Sequence, residues 1–400
     1  MLVHERRLRR ESHWLRRAGW FGLGLLVAAA LFFGAFPLVL AWRMSQQAGS
    51  PLPLNARALS LHSRLLVVDL QAASLMWSRD LLGNNVSGHL DLPRLTDGNV
   101  ALQVLSAASR LSWRGDAHGR DRDADEREDS GARRADLLTP LAVAQGWPVE
   151  TWGSRLRRVL YQAEKLKWLV RRAGSGLITI RSQSDIDRLI LARVQAQSNG
   201  LTPPVGIMLS IHDSQALEDR LENLEALFEA GFRMAAPPSV LHPLMGRQWL
   251  TRMEKKGMVV DVAHAGSTTL RDLVGEARLP VVASHAGLRG NCDDPRNLTD
   301  EQARGIAATG GVIGIGFWRD AVCGASVDAI VTAIRYAVGL VGVDHVAFGS
   351  NFDGASPTSI DAAGLAQLTQ GLTAAGFSDD DIGKLAGGNA LRVLRAVLPR

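Results

Sequence analysis

Beyond residue 60, apolar runs alternate with amphipathic stretches. The runs are LLVVDL from Leu65, VALQVL from Val100, VGIMLSI from Val205, GMVVDVAH from Gly257, LPVVASHA from Leu279, GGVIGIGF from Gly310 and DHVAFGSNFD from Asp344. Short continuous apolar runs of this kind predict strands covered on both faces. Between them lie helical patterns. In SQALEDRLENLEALFEAGF, Leu217, Leu221, Leu224 and Leu227 keep the three/four spacing of one helix face. TDEQARGIAATG predicts a helix start, with Asn297 or Thr299 as the cap and acids in the first turn. Strand then helix, repeated, predicts an α/β fold, and specifically a (β/α)8 barrel of TIM type over residues 61–400. A doubly wound sheet has the same alternation. The polar residues favour the barrel, because they fall at the C-terminal ends of successive strands, where barrel sites are assembled.

The longest apolar run lies earlier. Residues 18–42, AGWFGLGLLVAAALFFGAFPLVLAW, carry no charge and have Trp20 and Trp42 near their ends. That length crosses a hydrocarbon core with some tilt. Arg6, Arg7, Arg9, Arg10, Arg16 and Arg17 precede it. The positive-inside rule therefore expects residues 1–17 as a basic cytoplasmic tail, 18–42 as a single transmembrane helix, and the barrel in the periplasm or outside the cell. A cleaved signal peptide is the competing reading, but the run is long for one and no good small-x-small site follows. Residues 43–60, opening with RMSQQAGSPLPLN, read as a linker. RGDAHGRDRDADEREDSGARRAD, from Arg114 to Asp136, is dense in both charge signs and reads as a solvated loop.

Composition adds little to the fold and more to what is excluded. The formal net charge is +5, and much of the excess sits in the first 17 residues. The body shows no basic cluster of the kind nucleic-acid binding needs. There are two cysteines, Cys292 and Cys323, and no CxxC. They pair if the domain lies in an oxidising compartment, or stand as two small apolar residues. HExxH and GxSxG are both absent.

Three histidines end predicted strands: His212 in LSIHDS, His264 in VVDVAHAG and His285 in VVASHAGLRG. Imidazole on a strand end suits zinc, since the strand fixes its direction. Asp213, Ser284, Arg289, Arg296 and Asp353 share these loops. A guanidinium there suits a substrate carboxylate. Ser284 and His285 are neighbours on a strand and so are expected to face opposite sides.

The block GMVVDVAHAGSTTLRDLVGEARLPVVASHAGLRGNCDDPRNLTDEQARGIAATGGVIGIGFW resembles the central block of the membrane dipeptidases, the renal-dipeptidase-like metallopeptidases. DLPRLTDGNVALQVLSA, DHVAFGSNFDG and FSDDDIGKLAGGNALRVLRAVL resemble the family's second strand, last barrel strand and C-terminal helix. The resemblance implies a (β/α)8 barrel whose two zinc ions, bridged by a glutamate, activate water to hydrolyse dipeptides. It carries the second zinc's histidines to His264 and His285, and the substrate-carboxylate arginine to Arg296. It also marks departures. The first strand's Asp-x-His-x-Asp becomes Asp69, Gln71 and Ala73. The bridging glutamate becomes His212, and the catalytic aspartate of GxDFDG becomes Asn351, with Asp353 kept as the candidate catalytic carboxylate. The histidine that would bind the substrate carbonyl falls near Ser239 or His242. Family members often dimerise, so a homodimer is the implied assembly.

Alanine offers a metal no donor and glutamine a poor one. The expectation is therefore at most one zinc, held by His264, His285 and His212, or none if the protein is a pseudoenzyme. Two readings follow. One is a membrane-anchored, catalytically impaired homologue that binds a peptide-like ligand or a partner protein. The other is a mononuclear zinc-dependent dipeptidase or amide hydrolase.

Overall fold

The computed structural model describes residues 2–48, 53–111, 136–211, 213–238, 243–354 and 357–400. Its strands are β1 (Val67–Ala72), β2 (Val100–Ala107), β3 (Leu177–Thr179), β4 (Val205–Ile211), β5 (Phe232–Ala235), β6 (Val259–Val260), β7 (Val282–Ala286), β8 (Val312–Ile315) and β9 (Val346–Phe348). All pair in parallel, in the order β6-β5-β4-β2-β1-β9-β8-β7. The ends of that order meet. Asp261, just past β6, bridges to Val282, and the Val262 N–H donates to the Val282 carbonyl at 2.7 Å. The eight strands thus close into a ring, as expected, and the doubly wound sheet is ruled out. β3 stands outside the ring. It pairs with the first half of β4, leaving the second half to β5.

Every residue of β1, β2, β4, β5, β7 and β8 is buried. Alternate positions serve two cores. Val68, Leu102, Met208, Met234, Val259, Val282, Val312 and Ala347 form one cluster with Leu391, Leu394 and Val397 of the C-terminal helix Asn389–Val397. One residue from each ring strand meets there, so this is the barrel interior, stoppered by that helix. The outward residues, among them Val67, Leu105, Ile207, Phe232 and Ile313, pack against the surrounding helices.

Two elements differ from the sequence pattern. The leucines 217–227 do not lie on one helix. A short turn, Ser214–Leu217, is cut off by Glu218 and Asp219, both with φ above +45°, before the helix Asn223–Ala230 begins. Leu217, Leu221, Leu224 and Leu227 are all buried nonetheless, so the spacing reported burial rather than helical continuity. The segment read as a linker also holds a helix, Ala56–His62. Asn55 caps it, accepting from the Ala58 N–H at 2.8 Å, and Ala58, Leu61 and His62 are buried. The helix start at Asp300 is as predicted, with Thr299 as the cap and Gln302 completing a capping box. The charged stretch 114–136 lies outside the described residues except for Asp136, which Arg158 holds at 2.6 Å.

Helical segments Leu2–Ala30, Leu31–Ala35 and Phe36–Arg43 follow one another without a break. Residues Arg16–Arg43 are long and apolar enough to cross a membrane. Leu40 and Met44, at the end of this stretch, are buried against Ala73, Met76, Trp77, Leu138, Leu141 and Trp147. Beyond them the chain pairs with the loop after β9. The Ala48 N–H donates to the Thr358 carbonyl at 2.9 Å, and the Thr358 N–H to the Gln46 carbonyl at 3.1 Å.

Candidate functional site

The end of β1 lies against the loop that follows β9. The Ala73 N–H donates to the Phe352 carbonyl at 2.8 Å, and the Asn351 N–H to the Gln71 carbonyl at 3.1 Å. Gln71, Ala73 and Asn351 are therefore neighbours, and each is buried. A Cβ on Gly354 would collide with the Asn351 amide oxygen and touch the Ala73 methyl. Asn351 takes a left-handed conformation (φ 56°), which asparagine adopts more readily than most residues. Its Oδ1 is buried without a hydrogen-bond partner.

Asp69 ties this rim together. Its carboxylate accepts from the Ser350 N–H at 2.7 Å, the Ser350 hydroxyl at 2.6 Å and Gln103 Nε2 at 2.7 Å. Burial pushes its pKa up to about 6, against the pull of those donors. The sign of the linkage follows. Between 3.8 and about 6 the native protein keeps a proton that the unfolded chain has released. The corresponding stability is full below the unfolded value and is lost as pH rises through about 6, a change of about 3 kcal/mol. Urea unfolding at pH 4 and pH 7 is expected to show that wild type loses up to about 3 kcal/mol more than Asp69→Asn over that interval. Equal losses would refute the linkage.

Asp353 has no accessible surface. Its carboxylate binds the Arg79 guanidinium, the Ser74 hydroxyl and the His89 N–H, the last at 2.8 Å. Burial pushes its pKa up, but the charge of Arg79 and the bonds from the Ser74 hydroxyl and the His89 N–H outweigh that and hold it below the ordinary value. The His89 ring accepts from the Asp353 N–H at Nδ1 (3.0 Å) and donates from Nε2 to the Gln46 carbonyl (3.1 Å). Asp353, read as a catalytic candidate, is thus occupied in holding the loop after β9 to the loop after β1. Arg79 and His89 were not singled out in the sequence. Each is distant in sequence from Asp353, and no local pattern marks either.

Across the rim, His264 and His285 turn their Nε2 atoms toward each other at 3.0 Å. Ser284 donates to Asp261 Oδ2 at 2.6 Å and so accepts from His285 Nδ1 at 2.8 Å. This chain places the His285 proton on Nδ1 and the lone pair on Nε2, aimed at His264. The expectation that Ser284 and His285 face apart is corrected here. The β7–β8 register slips between Ala283 and Ala286, and such an irregularity re-aims side chains. Two nitrogens bound tetrahedrally to one zinc lie about 3.3 Å apart, so the pair fits a single shared ion. His212, the third expected ligand, and Ser239 and His242 lie outside the described residues. Among the described residues no group of three His, Cys, Asp or Glu could hold a metal.

Arg296 lies in the loop after β7. It binds Asp294 Oδ1 from Nε at 2.9 Å and Asp320 Oδ2 from Nη2 at 2.6 Å. Burial opposes its charge, but the two aspartates raise its pKa above the ordinary value. A ligand carboxylate would compete with both. Arg289 is a loop staple, donating to the Asn297 and Pro295 carbonyls at 3.1 and 2.6 Å. Asp213 caps the turn after β4. Cys292 and Cys323 form a disulfide that joins the Arg296 loop to the loop after β8.

Comparison with known proteins agrees with this architecture. The family description "Membrane dipeptidase (Peptidase family M19)" matches residues 243–398. An uncharacterized protein in the pqqA 5' region of Klebsiella pneumoniae is 38% identical over 151 residues, covering 35% of this chain and 55% of that protein. Dipeptidase ataJ of Aspergillus terreus is 35% identical over 150 residues, covering 35% of this chain and 36% of that one. The chain thus spans from about a third to about half the length of these relatives. Among solved structures, the probable dipeptidase PvdM from Pseudomonas aeruginosa superposes with a TM-score of 0.66 at 21% identity, over 85% of this chain and 97% of that one. A metallopeptidase from Rhodobacter sphaeroides, liganded with a phosphinate mimic of L-Ala-D-Ala, gives 0.65 at 20% identity, over 83% and 99%. These two likenesses show the fold. Residues 243–398 include His264, His285, Arg296 and Asn351. Residues 243–398, which include the histidine pair at the rim of the closed barrel, are thus similar to the membrane dipeptidase family.

Proposed function

We propose that this protein is a membrane-anchored dipeptidase homologue that binds a peptide-like ligand at the barrel rim without performing the family's two-zinc hydrolysis. The observation that carries the reading is the set at the end of β1. Gln71, Ala73 and Asn351 meet there, all buried, and the nearby carboxylates Asp69 and Asp353 are held by hydroxyl, amide and guanidinium donors. A two-metal site clamps attacking and leaving oxygens between two ions held by charged donors. Ala73 supplies no donor and Gln71 and Asn351 only amides, so these residues do not fit a second ion. Arg296 would receive the ligand's carboxylate in place of Asp320. The apolar stretch 18–42 is the anchor, and the arginines before it keep the N-terminus in the cytoplasm. The disulfide suits a barrel on the oxidising side.

A second reading is favoured by the facing Nε2 atoms of His264 and His285. With His212 they would hold one zinc, which when bound would lower the pKa of a water toward 7. The full chain in neutral detergent, exposed to zinc and desalted, is expected to retain no more than one zinc by elemental analysis. That zinc should be lost in His264→Ala. Binding of Ala-Ala by calorimetry without its hydrolysis supports the first reading. Slow hydrolysis that depends on the single zinc supports the second. Two tightly held zinc ions would overturn both.

A further inference from the structure

The loop after β1 and the helix Arg155–Ala173 enclose a pocket of about 490 Å³ that the rim chemistry does not use. Two cations reach it, Arg79 and Lys165. The Arg79 side chain is only 9% exposed. It spends one nitrogen on Asp353, while its Nε and Nη1 are buried without a hydrogen-bond partner. Lys165 gives two protons to the carbonyls of Leu75 and Trp77, at 2.6 and 2.8 Å. Burial and the charge of Arg79 push its pKa down to about 8. The acids at the mouth are engaged elsewhere, Asp80 with Arg172 at 3.1 Å and Glu164 with Lys167 at 2.8 Å. Beside the pocket, two largely buried cations thus meet a single buried carboxylate, Asp353, and two Arg79 nitrogens have no partner. Unpaired buried donors of this kind are rare in folded proteins.

The walls are aromatic. Trp147 and Tyr161 pack with ring centroids 5.0 Å apart, and Lys165 lies 5.6 Å from the Trp147 centroid. Trp168 stands at the rim, 49% exposed. Trp147 also belongs to the cluster that receives Leu40 and Met44 at the end of the apolar helix, with Tyr161 packed against it. The pocket thus lies beside the point where the chain leaves its membrane-length segment.

We propose that this pocket binds a phosphate group carried on an apolar body, with Arg79 and Lys165 seating the phosphate and Trp147, Tyr161 and Trp168 flanking the body. A phospholipid headgroup and a soluble phosphate share that chemistry, and the position beside the apolar helix favours the lipid.

Calorimetry on the full chain in neutral detergent tests this with three probes: dihexanoyl phosphatidylglycerol, phosphate-free dihexanoylglycerol and inorganic phosphate. The phosphatidylglycerol is expected to bind about tenfold or more tighter than dihexanoylglycerol, and Lys165→Gln to remove that advantage. Trp168→Ala, at an exposed position, should weaken the lipid and leave inorganic phosphate unchanged. Inorganic phosphate binding as tightly as the lipid, and sensitive to Lys165→Gln, would support the site with a soluble occupant. Equal binding of the two glycerol probes, or lipid binding unchanged in both variants, would overturn the proposal. Neither readout depends on zinc or on dipeptides, so its failure is separate from that of the rim reading.

Discussion

Asp353→Ala is expected to destabilise the protein by about 3–5 kcal/mol, with no compensating gain elsewhere. The reason is what the carboxylate leaves behind. Arg79 is nearly buried, and Asp353 is its ion-pair partner there. Removing the acid strands a buried guanidinium, which costs far more than an exposed pair is worth. The Ser74 hydroxyl and the His89 N–H lose their acceptor at the same time. Because Arg79, His89 and Ser74 hold the Asp353 pKa below the ordinary value against the effect of burial, the stability it confers is present above the unfolded carboxylate value. It is lost as pH falls through the folded one. Urea unfolding should therefore separate wild type from Asp353→Ala widely at pH 7 and less at pH 3. The companion variant Arg79→Met with Asp353→Leu removes both charges and should recover part of the loss. A purely catalytic Asp353 would predict the opposite pattern, with unchanged unfolding and altered turnover.

The strands were legible because the ring is buried on both faces, which turns a strand into an uninterrupted apolar run. Where that condition fails, the run fails with it. Phe232–Ala235 carries Arg233 in its middle, and the sequence pattern passes over it. In the fold the Arg233 guanidinium donates to the Arg181, Phe228 and Phe232 carbonyls and lies 3.9 Å from the Phe228 ring. An arginine with that many backbone acceptors can sit in a strand, but nothing local announces the acceptors. β3 has only three residues, too few to show a period.

The site divides in the same way. Gln71, Ala73, Asn351 and the two histidines were legible because a substitution within a recognisable block is a local fact. What surrounds them was not. Arg79 and His89 lie 274 and 264 residues from the carboxylate they bind. Only the closure of the barrel, which sets the end of β1 beside the loop after β9, brings them together. The Asp261–Ser284–His285 chain was hidden for a different reason. Strict alternation forbids a Ser284–His285 contact, and the register slip in β7 that permits it comes from tertiary pairing. The Arg296 loop carries both lessons. Its arginine was legible, but its engagement with Asp294 and Asp320 depends on how two loops after different strands are fastened.

That fastening is the Cys292–Cys323 disulfide, and Cys292→Ser with Cys323→Ser is expected to cost about 4 kcal/mol of stability. The two cysteines are 31 residues apart. Closing a loop of that length removes about 3.7 kcal/mol of chain entropy from the unfolded state at 25 °C. Local packing sets how much of this the native state delivers. Cys292 is buried, Asn297 donates to the Cys292 and Asp320 carbonyls at 2.8 and 3.1 Å, and the Ala321 carbonyl closes against Gly287. These contacts survive in the serine pair, so the folded loop should persist and the loss should come from the unfolded chain. Urea unfolding of wild type under oxidising and reducing conditions, beside the serine pair, measures it. The reduced wild type and the serine pair should agree to within about 1 kcal/mol, both well below the oxidised protein. A serine pair as stable as the oxidised protein would mean that the hydrogen bonds alone fasten the loops. The link would then not be what keeps Arg296 between its two aspartates.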